Sequence, residues 1–282
     1  MIADVTDTIV NLTTTVFVLS TMLAVGLDLS IGQLREAMGR RRLMTKSLLV
    51  NLIVIPALAY LLVYSIPMVP SYAAGVVLLA VSPGAPFGPK LAEISDSDLA
   101  FASGLMAILA VVSVVTIPVS LALLLPGNVS VDPVAIGRLV FGVQLVPLLA
   151  GFVVTYRSSP AADALYSPVQ RLSNYSFILL IVVLLTVYID DMAALVGTGA
   201  LFVSSVIVAG SLAVGYVFGG PARSTREVLA TTTAARNAAV ALFIATAGFS
   251  DPGVLTVVLA FSFLGVVASA LLATIWRRRT TS

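Results

Sequence analysis

The chain has 282 residues, 59% hydrophobic and 10% charged, with a formal net charge of +2 and neither cysteine nor histidine. Soluble domains carry about 25% charged residues, so a mean hydropathy of +1.10 points to a polytopic α-helical membrane protein with no separate soluble catalytic domain. The missing residue types exclude disulfides, thiolate chemistry, soft-metal sites and histidine proton relays; short alternating segments of the β-barrel kind are absent.

Apolar runs long enough to cross about 30 Å of hydrocarbon predict nine spans, at roughly 9–28, 43–65, 71–95, 99–125, 133–156, 171–190, 193–219, 225–249 and 252–276. The N-terminus, MIADVTDT, is acidic and lacks the basic region of a signal peptide, so the first run is expected to stay as a span. Between spans 1 and 2, the segment 29–42 reads as a solvated basic loop in preference to a short interfacial helix, although Leu34 and Met38 lie four apart. Asn51 in span 2, Ser113 and Thr116 in span 4, Gln144 in span 5 and Asn174 in span 6 are polar. Interhelical hydrogen bonding is their ordinary role, and Gln144 and Asn174 are also placed to line a cavity. Pro56, Pro118 and Pro147 predict kinks. Trp276 is an interfacial anchor. The glycosylation-type triplets at Asn11, Asn128 and Asn174 carry no weight, since two fall within spans.

Span 3 contains SPGAPFGPK, with three prolines and two glycines between Pro83 and Pro89. A helix cannot continue through it. One half-helix is expected to end near Ser82 and another to begin near Pro89, with Lys90 in its first turn. A cation there opposes the helix dipole, so an anion or acidic partner is expected nearby. Lys90 pairing with Glu93 three residues on, or snorkelling to the edge, are the plainer alternatives. Glu93, Asp96 and Asp98 read as a solvated cap, with Asp98 the N-cap of span 4. Span 8 contains TTTAARN, from Thr231 to Asn237. Either it breaks there, or it continues with its threonines bonded back to carbonyls. Arg236 lies too far from either end to snorkel easily. Charges at membrane depth usually face a cavity and carry function.

Charge sorts by side. Arg35, Arg40, Arg41, Arg42, Lys46, Arg157, Arg171, Arg223, Arg226 and Arg277 to Arg279 share one side. Asp4, Asp7, Asp132, Asp190, Asp191 and Asp251 occupy the other, with Arg138 the nearby cation. The positive-inside rule then puts the N-terminus outside and the C-terminus in the cytoplasm, which needs an odd number of spans. Spans 3 and 8 are each third in an antiparallel group of four, a pattern that points to inverted repeats (about 9–125 and 133–276) with a binding site at the irregular helices.

MLAVGLDL (Met22 to Leu29), SPGAPFGPKLAEISDSDLAFASGLMAI and TTTAARNAAVAL resemble the entry motif and the two crossing helices of the bile acid:sodium symporter family. The resemblance covers nearly the whole chain and corresponds to the nine-span type. It implies a single transporter domain, with a core of spans 2, 3, 4, 7, 8 and 9 moving against a panel of spans 1, 5 and 6. Spans 3 and 8 would be broken and would cross at the centre.

The chain departs from that pattern at the sodium positions. Gly88 and Pro89 stand where the family has Ser and Asn ligands; Thr232 stands at its acidic position and Arg236 at its glutamine, while Asn237 is retained. Thr233 is a neighbouring candidate, and Ser103 is the remaining hydroxyl in the first turns of span 4. A hard cation needs several oxygen ligands, and a guanidinium repels it. The expectation is that Lys90 and Arg236 replace the sodium ions, and that Lys90, Arg236, Asn237, Thr232, Pro86 and Phe87 contact substrate. The expected function is a secondary carrier of a small organic anion in the cell membrane, not coupled to sodium and needing no cofactor or metal. A sodium- or proton-coupled symporter and a non-transporting sensor are the alternatives. An enzyme would need an acid–base pair or nucleophile that the spans lack. No nucleic-acid partner is expected, since topology accounts for the cations. The oligomeric state is left open.

Overall fold

A computed structural model of the protein describes residues 2–126, 129 and 131–280; of 2–7 and 280 it describes the backbone only. Asn128 and the side chains of Asp4 and Asp7 therefore lie outside the described residues. The chain is helical throughout, with no strand among the described residues. In order, the helices are α1 (Ile2–Asp28), α2 (Ile31–Gly39), α3 (Arg41–Leu49), α4 (Ile55–Ser65), α5 (Pro70–Ala80), α6 (Gly88–Ser95), α7 (Leu99–Leu124), α8 (Pro133–Val140), α9 (Val146–Arg157), α10 (Ser159–Val187), α11 (Ile189–Ala194), α12 (Ala200–Phe218), α13 (Arg223–Ala235), α14 (Ala238–Gly248) and α15 (Pro252–Thr280). Eight helical segments among the described residues are long and apolar enough to cross a membrane; α5 is a shorter apolar helix.

Two of these segments are helices joined through a π turn. Val50–Val54 links α3 to α4, and Phe141–Leu145 links α8 to α9. Each π turn sits just before a proline, Pro56 or Pro147. A proline lacks the N–H that closes the preceding turn, and its ring crowds the carbonyl four residues back; widening the turn relieves this. Pro118, by contrast, lies inside a continuous α7.

Several sequence expectations are corrected. The segment 29–42 is helical over α2, not a solvated loop. Ser30 and Gln33 form a capping box, which satisfies two orphan N–H groups, and the buried Ala37 packs where Gly104 of α7 leaves room. The sixth apolar run begins at Ser159, not 171: the Ser158 hydroxyl accepts from Ala161 N, and Pro160 suits the first turn. The seventh begins at Ala200, not 193, because Gly197 and Gly199 take positive φ and separate α11 from α12.

Helices α1, α9 and α10 pack together on one flank. Helix α15 packs against α5, α6, α13 and α14, and α13 also against α12. Residues 227–245, the middle of the α13–α14 segment, are all buried by protein. That isolation allows irregular backbone there, since every polar group must find a protein partner away from water.

Candidate functional site

Helix α5 ends at Ala80, and the chain stays non-helical until Gly88. Gly84 has φ +87, a conformation costly for residues with a Cβ, and it lies against Leu109 and Ala110 of α7. Gly88 opens α6 against α13; a Cβ there would meet Thr232 Cγ2 at 2.7 Å. Lys90 is in the first turn of α6 and pairs with Glu93 (Nζ–Oε2 2.6 Å). Its side chain is 70% exposed.

Helix α13 ends at Ala235 and α14 begins at Ala238. The turn is made by Arg236, with φ 50 and ψ 173, and Asn237. Such a conformation is nearly confined to glycine and costs about 1–3 kcal/mol. The surroundings hold it in place. Asn237 N donates to Ser82 O (2.9 Å), joining the two interruptions directly. The Asn237 side chain accepts from Val240 N (3.2 Å), capping α14, and donates to Gln144 Oε1 (3.0 Å). Gln144 donates in turn to Ala110 O and to Ser113 Oγ (2.6 Å).

Arg236 is 1% exposed, the largest fully buried side chain among the described residues. Its Nη1 donates to Asn51 O and Oδ1 at 3.2 and 3.4 Å. Nε and Nη2 have no partner among the described residues, and no carboxylate pairs with the guanidinium. Asn51 Nδ2 donates to Thr233 Oγ1 (3.1 Å). Each π turn thus carries one buried amide to one residue of the α13–α14 turn: Asn51 to Arg236 and Gln144 to Asn237. Widened turns recur at functional positions for this reason, since they re-aim a side chain.

A cavity of about 340 Å³ lies between α1, α10, α6 and α7. Its aromatic floor is made by Phe17, Phe87 and Phe177; ring centroids are 5.1 Å apart for Phe17–Phe177 and 5.7 Å for Phe87–Phe177. Thr21 and Ser173, hydrogen-bonded at 2.7 Å, and Gln170 and Asn174, bonded at 3.0 Å, form a polar wall. Ser103 lines the cavity at 2% exposure, and its hydroxyl has no hydrogen-bond partner among the described residues. Asp28, Glu93, Lys90 and Tyr166 also line it. A second cavity of about 390 Å³ lies towards the other end of α1, lined by Val10, Asn11, Tyr188, Phe249 and Asp251 among others.

The sequence-derived candidates therefore separate. Pro86, Phe87, Pro89, Lys90 and Ser103 line the cavity. Gly88, Thr232, Thr233, Arg236 and Asn237 are buried behind it. Lys90 and Arg236 do not share one site: one faces the cavity in an ion pair, the other is enclosed by protein. Glu93 belongs to the cavity wall and not only to a solvated cap, and Asp98 both caps α7 (Phe101 N, 2.9 Å) and pairs with Arg40. Asn174 faces the cavity, whereas Gln144 bonds across helices. Thr231 and Thr232 do bond back to Glu227 O and Val228 O, although α13 ends soon after. Asp28, Tyr166 and Gln170 were missed. Asp28 reads as an edge residue within MLAVGLDL, and Tyr166 and Gln170 fell in an expected loop; their i, i+4 spacing was the available signal.

Residues 15–198 match the profile of the sodium bile acid symporter family. The chain is 26% identical over 144 residues to the "Probable sodium/metabolite cotransporter BASS3, chloroplastic" of Arabidopsis thaliana, covering 51% of this chain and 33% of that protein. It is 30% identical over 133 residues to the protein of the same name from Oryza sativa subsp. japonica, covering 47% and 31%. The chain thus spans about a third of the length of these curated relatives. The family is one of transporters and not enzymes, and a multi-pass arrangement in a bilayer follows from it and from the apolar helices. The match covers more than half of the chain and includes α5, α6 and most of the cavity wall: the protein belongs to the sodium bile acid symporter family.

Proposed function

We propose that the protein is a secondary carrier of a small organic anion in the cell membrane, working by alternating access and without sodium coupling. The observation that carries this reading is Arg236, a guanidinium enclosed by protein at a helix interruption, with no acidic partner among the described residues. A sodium ion next to it would be repelled by roughly 4 kcal/mol at 4 Å and an effective dielectric of 20. No acidic ligand is on hand to offset that. Arg236 instead supplies a permanent positive charge where the interruptions meet.

In this reading α5–α6 makes a ninth span, and α5–α6 and α13–α14 are two broken helices that cross at the Ser82–Asn237 bond. The halves 9–125 and 133–276 are inverted repeats. Helices α1, α8–α9 and α10 form a panel, and the remaining spans form a core. The substrate binds between them over the three phenylalanine rings, with Lys90 as its countercharge and Ser103 and Asn174 as hydrogen-bonding groups. The 340 Å³ cavity, at the basic end of α1, opens to the cytoplasm; the C-terminus lies on that side and the N-terminus outside. The 390 Å³ cavity belongs to the outward path, and Phe17 stands between them.

Uptake of labelled monocarboxylates into proteoliposomes, with Na⁺ replaced by choline or K⁺, tests the proposal. Rates within about twofold are expected; a strong sodium requirement overturns it. The names of the plant relatives favour the sodium-coupled alternative, and the carboxylates in the cavity wall are the local feature on its side. Absence of flux for every substrate in purified, folded protein would favour a sensor.

A further inference from the structure

The cavity has an unbalanced charge. Asp28 and Glu93 bring two carboxylates to its wall, and Lys90 brings one ammonium. Lys90 is already paired with Glu93. Asp28 makes no hydrogen bond or ion pair among the described residues. The lining thus carries a formal charge of −1, in a cavity that also holds a buried hydroxyl without a partner, Ser103 Oγ. An anion entering it meets net repulsion, which one proton taken up by the wall would cancel.

We propose that Asp28, the carboxylate of this wall without a partner among the described residues, holds one exchangeable proton and that this proton is the coupling ion of the carrier. It is taken from water on one side of the membrane and returned to water on the other, so no other reactant is needed. With the proton bound, the wall is neutral and the anion docks on Lys90 and Ser103. With it lost, the wall repels the anion, which releases it. The other groups facing Asp28 fit this role. Helix α10 contributes the Tyr166 phenol and neutral Gln170; α6 contributes Glu93 and Lys90; α7 contributes Ser103 and Met106. Helices α9 and α14 and the Phe141–Leu145 turn, also packed on α1, bring no charged or titratable group to the cavity. No arginine lines it, and Lys90 is taken up by Glu93, so no cation is paired with Asp28 among the described residues.

The inference takes the word coupling from the carrier reading, but the proton site is tested without transport. Infrared titration of the purified protein follows the carbonyl stretch of protonated carboxyl groups. One carboxyl band that belongs to Asp28 is expected to respond reversibly to pH. The signal should be lost in Asp28→Asn and retained in Asp190→Asn, whose carboxylate lies at the opposite end. A wild-type titration without that band, or a signal unchanged in Asp28→Asn, overturns the proton site. In proteoliposomes, a pH gradient of one unit driving a monocarboxylate is expected to sustain about tenfold accumulation. Loss of the gradient effect in Asp28→Asn supports coupling. Wild-type uptake indifferent to the gradient, with the infrared signal present, overturns coupling while leaving the carrier reading intact. No uptake at all, with the signal present, overturns the carrier reading and coupling with it.

Discussion

The two helix interruptions solve the same problem by different means. Between α5 and α6, seven residues leave helical geometry, and prolines and glycines enforce it: missing N–H groups, a positive φ at Gly84, and a close approach at Gly88. Between α13 and α14 only Arg236 and Asn237 leave it, and neither is a helix breaker of that kind. There the turn is held from outside, by Asn51, Gln144 and Ser82. The first interruption is written into local backbone chemistry. The second is a strained state that its neighbours maintain.

The largest expected effect follows from that dependence. Asn237→Ala removes the cap of α14 and leaves Gln144 Oε1 without its donor. A lost cap and an unpaired buried acceptor together should cost about 3 kcal/mol, read as a fall in Tm in detergent. A loss under about 1 kcal/mol would mean that the turn holds itself. Next, Arg236→Met should raise Tm, by about 2 kcal/mol equivalent, because a desolvated charge without an acidic partner is replaced by an apolar chain of similar length. The same variant should lose anion uptake at least about tenfold. A lowered Tm would show that the guanidinium is better compensated than its two bonds from Nη1 imply.

Gly84→Ala tests the other interruption. A positive φ and contact of the new Cβ with α7 at 3.2–3.3 Å should cost about 2 kcal/mol. Insensitivity there would remove the contrast between the two breaks. The smallest stability effect is expected for Lys90→Gln, since a pair this exposed is worth about 0–1 kcal/mol. Its consequence should appear in anion affinity instead, as a raised KM at nearly unchanged Tm. Equal affinity in this variant would move the countercharge elsewhere.

Residue chemistry read along the chain already marked out a good part of the molecule. Apolar runs without disulfide or metal chemistry specify a helical membrane protein, and the Pro83–Pro89 segment excludes a helix by itself. Helix limits were read less well where small polar residues decide them. Ser158 starts α10 about three turns ahead of the apolar run, and Ser30 with Gln33 turns an apparent loop into α2. Hydropathy does not register a cap, because a cap acts through one hydrogen bond and not through transfer from water.

Composition and spacing by themselves determined the membrane class, the first interruption and the presence of cations within apolar sequence. Tertiary structure alone decided where those cations lie and what surrounds them. It separated Lys90 from Arg236, brought Asp28 of α1 and Glu93 of α6 to one cavity, and aimed Asn51 and Gln144 at residues 185 and 93 positions away in the chain. The reason is physical: a buried polar group is governed by the partners that packing brings to it, and those partners are distant in sequence.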